Sequence, residues 1–161
     1  MPARKKQKMI PKEFFVTGGE AISPISQLNA FDRALKNARI EQCNLVPVSS
    51  ILPPTCKERE WKKIPAGSIT YTVIARMDGK GETTIAAGIA WAWEKNMKHG
   101  LVAEANGHMD KKTLKETLEW KIKEMAKTRE IEIGKIGYRT EVLRVPIENY
   151  GCVIAALVFM P

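Results

Sequence analysis

Thr84–Trp93, TIAAGIAWAW, alternates along its whole length, with Ile85, Ala87, Ile89, Trp91 and Trp93 on one side and Ala86, Gly88, Ala90 and Ala92 on the other. A period of two is what a strand imposes, because successive Cβ atoms leave the pleat on opposite faces. Both faces are apolar here, and one is made only of small residues. That pattern predicts a strand covered on both sides, with another layer packed closely on its small-residue face.

Downstream, Gly100–Ala105 (GLVAEA) reads as a further strand with one carboxylate, Glu104, among apolar neighbours, and Asn106-Gly107 marks its end. Asp110 can cap a helix that runs to about Arg129, with Leu114, Leu118, Ile122, Met125 and Ala126 on one stripe and lysines and glutamates elsewhere. Strands are expected between about Glu130 and Ile147 and from Cys152 to Phe159. The last is apolar throughout and therefore predicted to be central.

Upstream, Ser68–Met77 is rich in β-branched and aromatic residues and reads as a strand ending at Asp78-Gly79. Before it, Thr55–Lys63 reads as a polar surface loop. Cys43–Val48 is a short strand running into Ser49-Ser50-Ile51-Leu52-Pro53-Pro54, where two prolines make a stiff, exposed turn. Leu28, Phe31, Leu35 and Ala38 fall at i, i+3, i+7 and i+10, which predicts a helix stopping near Arg39. Glu13–Thr17 reads as the first strand, and Gly18–Gln27 as a loop. Two helices and about seven strands, several in succession, predict an α+β fold. The expected form is a single-domain αββα-type layered sandwich of mainly antiparallel strands with two covering helices.

The chain has 161 residues, 44% of them hydrophobic, which suffices for one core without disulfide or metal staples. Its three cysteines, Cys43, Cys56 and Cys152, form no CxxC pair, so a reducing, cytoplasmic setting is expected and a zinc site is not. No apolar run is long enough to span a membrane, and MPARKKQKMIPK has no signal-peptide core. Much of the +8 formal charge sits in Arg4, Lys5, Lys6, Lys8 and Lys12. Residues 1–12 are accordingly read as a basic disordered tail ahead of one domain at 13–161. No nucleic-acid-binding motif follows that tail, so no nucleic-acid partner is expected.

Familiar catalytic machinery is absent from the sequence. The only histidines are His99 and His108, no serine sits in a GxSxG elbow, and no HExxH, GxGxxG or GxxxxGK[ST] element occurs. Three other segments carry the signal: LNAFD (Leu28–Asp32), NLVPVSSILPP (Asn44–Pro54) and GLVAEANG (Gly100–Gly107). In order and approximate spacing, the set resembles the pyruvoyl-dependent arginine decarboxylases, and the likeness extends from about Phe14 to Phe159.

That resemblance implies a self-made cofactor. The Ser50 hydroxyl would attack the carbonyl of Ser49, elimination would break the resulting ester, and residue 50 would become a pyruvoyl group with release of ammonia. The products would be residues 1–49 and 50–161. Asn44 would assist processing as a polar group on the strand feeding the turn, helped by strain in that turn. The pyruvoyl ketone would form a Schiff base with the substrate amine, with no metal and no nucleotide required. Glu104 would be the general acid, its pKa raised by desolvation. Asp32 would meet the substrate guanidinium, and Phe31 would pack on its aliphatic stem. The implied function is decarboxylation of L-arginine to agmatine for polyamine synthesis, in trimers or hexamers with sites between subunits.

Two segments depart from the family pattern: GGEAISPISQ (Gly18–Gln27), ahead of the first motif, and RIEQC (Arg39–Cys43), ahead of Asn44. Both are expected to line the pocket, and Glu41 is either a second anionic contact or a solvated carboxylate. Two alternatives therefore stand beside the main reading. One is a pyruvoyl decarboxylase for another amino acid, such as lysine, ornithine or aspartate. The other is an uncleaved, non-catalytic interaction module.

Overall fold

The computed structural model describes residues 9–161. In chain order the elements are β1 (Glu13–Ser23), α1 (Gln27–Asn37), β2 (Asn44–Pro47), β3 (Ile51–Leu52), β4 (Lys57–Glu58), β5 (Ile69–Lys80), β6 (Thr84–Trp93), β7 (Gly100–Gly107), α2 (Lys111–Thr128), β8 (Gly137–Arg144) and β9 (Tyr150–Phe159). They form one sheet in the order β2-β5-β9-β1-β4 and another in the order β3-β7-β6-β8. Only β1/β4 and β2/β5 pair in parallel; the remaining pairs are antiparallel.

The two sheets pack face to face. Their shared core holds Phe14, Val73, Ile85, Ile89, Val153 and Leu157. On the outside of the first sheet, α1 covers Phe15, Ile154, Ala156 and Val158. On the outside of the second, α2 lays Leu114, Leu118 and Ile122 over Ala86, Ala90 and Ala92. This is the expected αββα sandwich, and the alternation of β6 is its cause: the large side chains fill the space between the sheets while the small ones admit the helix. A Cβ at Gly88 would come 2.8 Å from Leu118 Cδ1, so α2 sits almost on the β6 backbone. Asp110 caps α2 as expected, accepting the Thr113 N–H at 2.8 Å. The apolar β9 is the middle strand of its sheet.

The expected loop at Gly18–Gln27 is overturned over most of its length. Strand β1 continues to Ser23, paired with β9 without interruption from Phe14↔Phe159 to Ser23↔Tyr150. The glycines there serve packing rather than a turn. A Cβ on Gly19 would collide with the carbonyl oxygen of Ala34 and the backbone nitrogen of Ala38, so α1 rests directly on the strand. Gly19→Ala is expected to lower stability by about 1–3 kcal/mol through overpacking. Chemical denaturation checks this, and an unchanged midpoint would mean that α1 yields without cost.

The helix face is also rotated from its expected position. Ser26 caps α1, accepting the Asn29 N–H at 3.0 Å, and Ala30, Ala34 and Ala38 are the residues fully buried beneath it. Leu28 is 75% exposed. Small side chains win the buried stripe because the helix lies so close to β1. The stop near Arg39 is as expected, with Arg39 in the left-handed region at φ 64°. The segment read as a loop at Thr55–Lys63 contains the short β4, and β5 runs through Asp78-Gly79 to Lys80.

Of the residues read as a disordered tail, Arg4, Lys5, Lys6 and Lys8 lie outside the described residues. Met9, Ile10 and Pro11 line a surface groove of about 730 Å³, and the Lys12 carbonyl accepts the Lys57 N–H at 2.9 Å.

Candidate active site

Ser49-Ser50 lies where the chain crosses from one sheet to the other. β2 pairs in parallel with β5, ending at Pro47↔Thr72, and the Val48 N–H donates to the Thr72 carbonyl at 2.9 Å. β3 then pairs with β7, and the Ser50 carbonyl accepts the Val102 N–H at 2.8 Å. Ser49 stands exposed between these two anchors, and Ser50 is half-buried. The peptide bond joining them is therefore held from both ends by different sheets. Among the described residues, the non-glycine positions with positive φ are Arg39, Glu82, Met97, Glu130 and Glu148, none of them in the turn. The turn is positioned by pairing and not by left-handed backbone strain.

A cavity of about 370 Å³ opens beside this crossing, and its lining includes Ser50, Val102, Glu104, Trp120, Lys121 and Arg129. It exists because β3 is only two residues long. Past Leu101, the edge of β7 that faces away from β6 has no strand beside it, and α2 residues line the cavity along that free edge. Glu104 sits on that edge and is more exposed than Val102, Ala103 and Ala105 around it. Partial burial still pushes its carboxyl above the usual carboxylate range, while the positive charge of Lys121 pulls in the other direction. The Lys121 Nζ donates to the Glu104 backbone carbonyl at 2.9 Å. Fifty-four positions apart in sequence, Ser50 and Glu104 are thus brought to one cavity.

The other expected site residues are elsewhere in the chain. Asp32 is exposed and Phe31 half-buried on α1, in the layer covering the opposite sheet, and neither lines the cavity. One face of the Phe31 ring is already taken: the Arg76 guanidinium carbon lies 3.6 Å from its centroid, and Arg76 is held there by paired contacts to Asp78 at 2.9 and 3.0 Å. Asn44 is exposed at the start of β2, and its side-chain amide donates to the Gly67 carbonyl at 2.9 Å. Within one copy it braces the beginning of the strand rather than the Ser49-Ser50 bond. Glu41 is exposed.

Sequence reasoning did not single out Lys121, Arg129 or Val102. On the helical pattern Lys121 and Arg129 look like solvated α2 residues, and only the truncated β3 makes their positions part of a cavity. Among the described residues, no group of three or more His, Cys, Asp or Glu side chains is placed to hold a metal ion. No helix among them is long and apolar enough to cross a membrane.

The Ser50 hydroxyl belongs to the residue directly after the Ser49 carbonyl, and the carbonyl of residue 50 is independently fixed by the Val102 N–H. Residues 13–161 match the family model described as Pyruvoyl-dependent arginine decarboxylase. The chain is 36% identical over 107 residues to Pyruvoyl-dependent arginine decarboxylase 1 of Methanosarcina mazei, covering 63% of this chain and 64% of that protein. It is 29% identical over 150 residues to Pyruvoyl-dependent arginine decarboxylase of Methanopyrus kandleri, covering 93% and 97%. To the protein of that name from Methanococcus aeolicus it is 38% identical over 137 residues, covering 81% and 79%.

Proposed function

This chain belongs to the pyruvoyl-dependent arginine decarboxylase family, and from that premise we propose that it cleaves itself between Ser49 and Ser50 and then decarboxylates L-arginine to agmatine and carbon dioxide, feeding polyamine synthesis. The observation that carries the proposal is the shared cavity of Ser50 and Glu104, with the carbonyl of residue 50 anchored by the Val102 N–H.

In processing, the Ser50 Oγ adds to the Ser49 carbonyl carbon and the amide becomes an ester. Elimination breaks the bond between Ser50 Cβ and its oxygen, leaving a carboxylate on Ser49 and dehydroalanine at position 50. Water then releases ammonia from residue 50 and leaves a ketone. The exposed Ser49 lets that water in, and Asn44 contributes by bracing the start of the strand that feeds the turn. The resulting pyruvoyl group supplies an electrophilic carbonyl for the substrate amine and an electron sink as carbon dioxide departs.

The chain's own residues supply the rest. Val102 holds the carbonyl of residue 50 in place, and Glu104 delivers a proton to the substrate carbon. Asp32 binds the guanidinium and Phe31 packs on the aliphatic stem, both supplied by a neighbouring copy, because α1 of the same copy does not reach the cavity. Exposed Val46, Val48, Ile51, Ile69 and Tyr71 beside the crossing give such a neighbour an apolar surface to cover. The assembly is read as a trimer or hexamer. Cys43, Cys56 and Cys152 are all free, which fits a cytoplasmic setting.

An intact-mass spectrum tests the processing step. Two fragments meeting at Ser49/Ser50, the second lighter by one ammonia than a serine-terminated chain, are expected; a single full-length mass after long incubation would turn the reading toward an uncleaved interaction module. Asp32→Asn is expected to raise KM for arginine roughly tenfold or more with a smaller effect on kcat. An unchanged KM would remove Asp32 from substrate binding.

One observation favours a second reading, another amino acid as substrate. The chain's own Arg76 guanidinium lies on Phe31, where a substrate stem was expected to pack. Product amines from arginine, lysine and ornithine, with aspartate as the anionic control, separate the two. Release of carbon dioxide from ornithine alone would sink arginine as the substrate.

A further inference from the structure

Building on the reading of Glu104 as the proton donor, we propose that Lys121 is a positioning residue for it, fixing the strand edge that carries Glu104 and setting the pH range of the proton-transfer step. The free edge of β7 explains why such a residue is needed. Beyond Leu101 no strand pairs with that edge, so its polar groups must find other partners. The Val102 N–H donates to the Ser50 carbonyl at 2.8 Å, and the Glu104 carbonyl accepts from Lys121 Nζ at 2.9 Å. Lys121 is thus the tether that α2 provides at the residue carrying the proposed acid.

The same ammonium group places a positive charge on the cavity wall. Burial favours the protonated Glu104 carboxyl and Lys121 favours the ionised one. The balance matters because a proton donor works best when its affinity for the proton lies near the working pH. Besides Glu104 itself, the charged groups lining the cavity come from α2 and its C-terminal cap: Lys121 and Glu124 on the helix and Arg129 just past its end. The strand and turn side contributes Ser50, Val102 and Ala103, none of them charged. Lys121 is the one that touches the Glu104 main chain, and so it couples position and charge in a single side chain.

The test compares Lys121→Met, Lys121→Arg and Glu104→Gln in the self-processed protein. In Lys121→Met the alkaline limb of the kcat profile is expected to move to higher pH. One pH unit above the native midpoint, the variant should retain about two to three times the native share of maximal rate, as expected for losing one partly screened charge. Lys121→Arg should restore the native profile. A readout independent of turnover is the titration of the Glu104 carboxyl carbon by NMR in protein labelled at glutamate, assigned by loss of the signal in Glu104→Gln. Its midpoint should rise in Lys121→Met and return in Lys121→Arg. If the midpoint and the limb both stay put while Glu104→Gln is inactive, Lys121 is only a structural tether and the inference is overturned. Full activity in Glu104→Gln would instead remove the reading on which it rests.

Discussion

Ser50→Ala is expected to leave the protein as one uncut chain with no detectable decarboxylation. The methyl group cannot add to the Ser49 carbonyl, so neither the ester nor the later ketone can form. The substitution should spare the fold. Ser50 is half-buried, and the anchors of its segment, Val48 on Thr72 and Val102 on the carbonyl of residue 50, are main-chain hydrogen bonds that alanine keeps. A mass spectrum and an assay of carbon dioxide release check both halves, with circular dichroism as the control for folding. Two fragments from Ser50→Ala would place the cut or its nucleophile elsewhere. The same variant also probes assembly. Mixed with Asp32→Asn during refolding, it should restore part of the activity, because some sites then combine an intact Asp32 with an intact Ser50. No recovery from the mixture would argue against sites shared between copies.

Glu104→Gln is expected to cut normally and to lose turnover by roughly 10²- to 10⁴-fold, the span associated with general acid–base groups. The amide matches the carboxyl in shape but has no proton of suitable acidity to give. In the unmodified enzyme, the protonated carboxyl is the active form. Because burial holds its proton affinity above that of an ordinary glutamate, activity should persist to higher pH than an exposed carboxyl would allow and then fall as pH rises through the raised value. A profile flat across that range, or a fully active Glu104→Gln, would remove Glu104 from the reaction. Normal cutting in this variant matters equally, since failure to cut would make Glu104 a processing residue.

Where local pattern and tertiary demand coincide, the fold could be read before any contact was known. In β6 the alternation is unbroken because both faces are buried against layers of different thickness, and α2 carries its own cap and a continuous stripe. β1 misled because Gly18 and Gly19 look like a turn. They are glycines because α1 lies on Gly19 and the Arg139 and Glu141 side chains crowd Gly18, and neither neighbour is close in sequence. The buried stripe of α1 misled for the same reason: close approach selects Ala30, Ala34 and Ala38 over the larger Leu28.

The candidate site divides along the same line. Sequence by itself supplied the family resemblance, carried by LNAFD, NLVPVSSILPP and GLVAEANG, and with it the roles expected of Ser50 and Glu104, because those motifs need no distances to be recognised. Tertiary structure alone decided the geometry. It ends β3 after two residues, so that α2 and the open edge of β7 enclose a cavity around Ser50 and Glu104, and it turns Lys121 from a solvated helix residue into a wall of that cavity. It also sends Phe31 and Asp32 to the far layer. A side chain's chemical character is set by its own atoms, whereas its partners are set by which layers the chain's buried faces must cover.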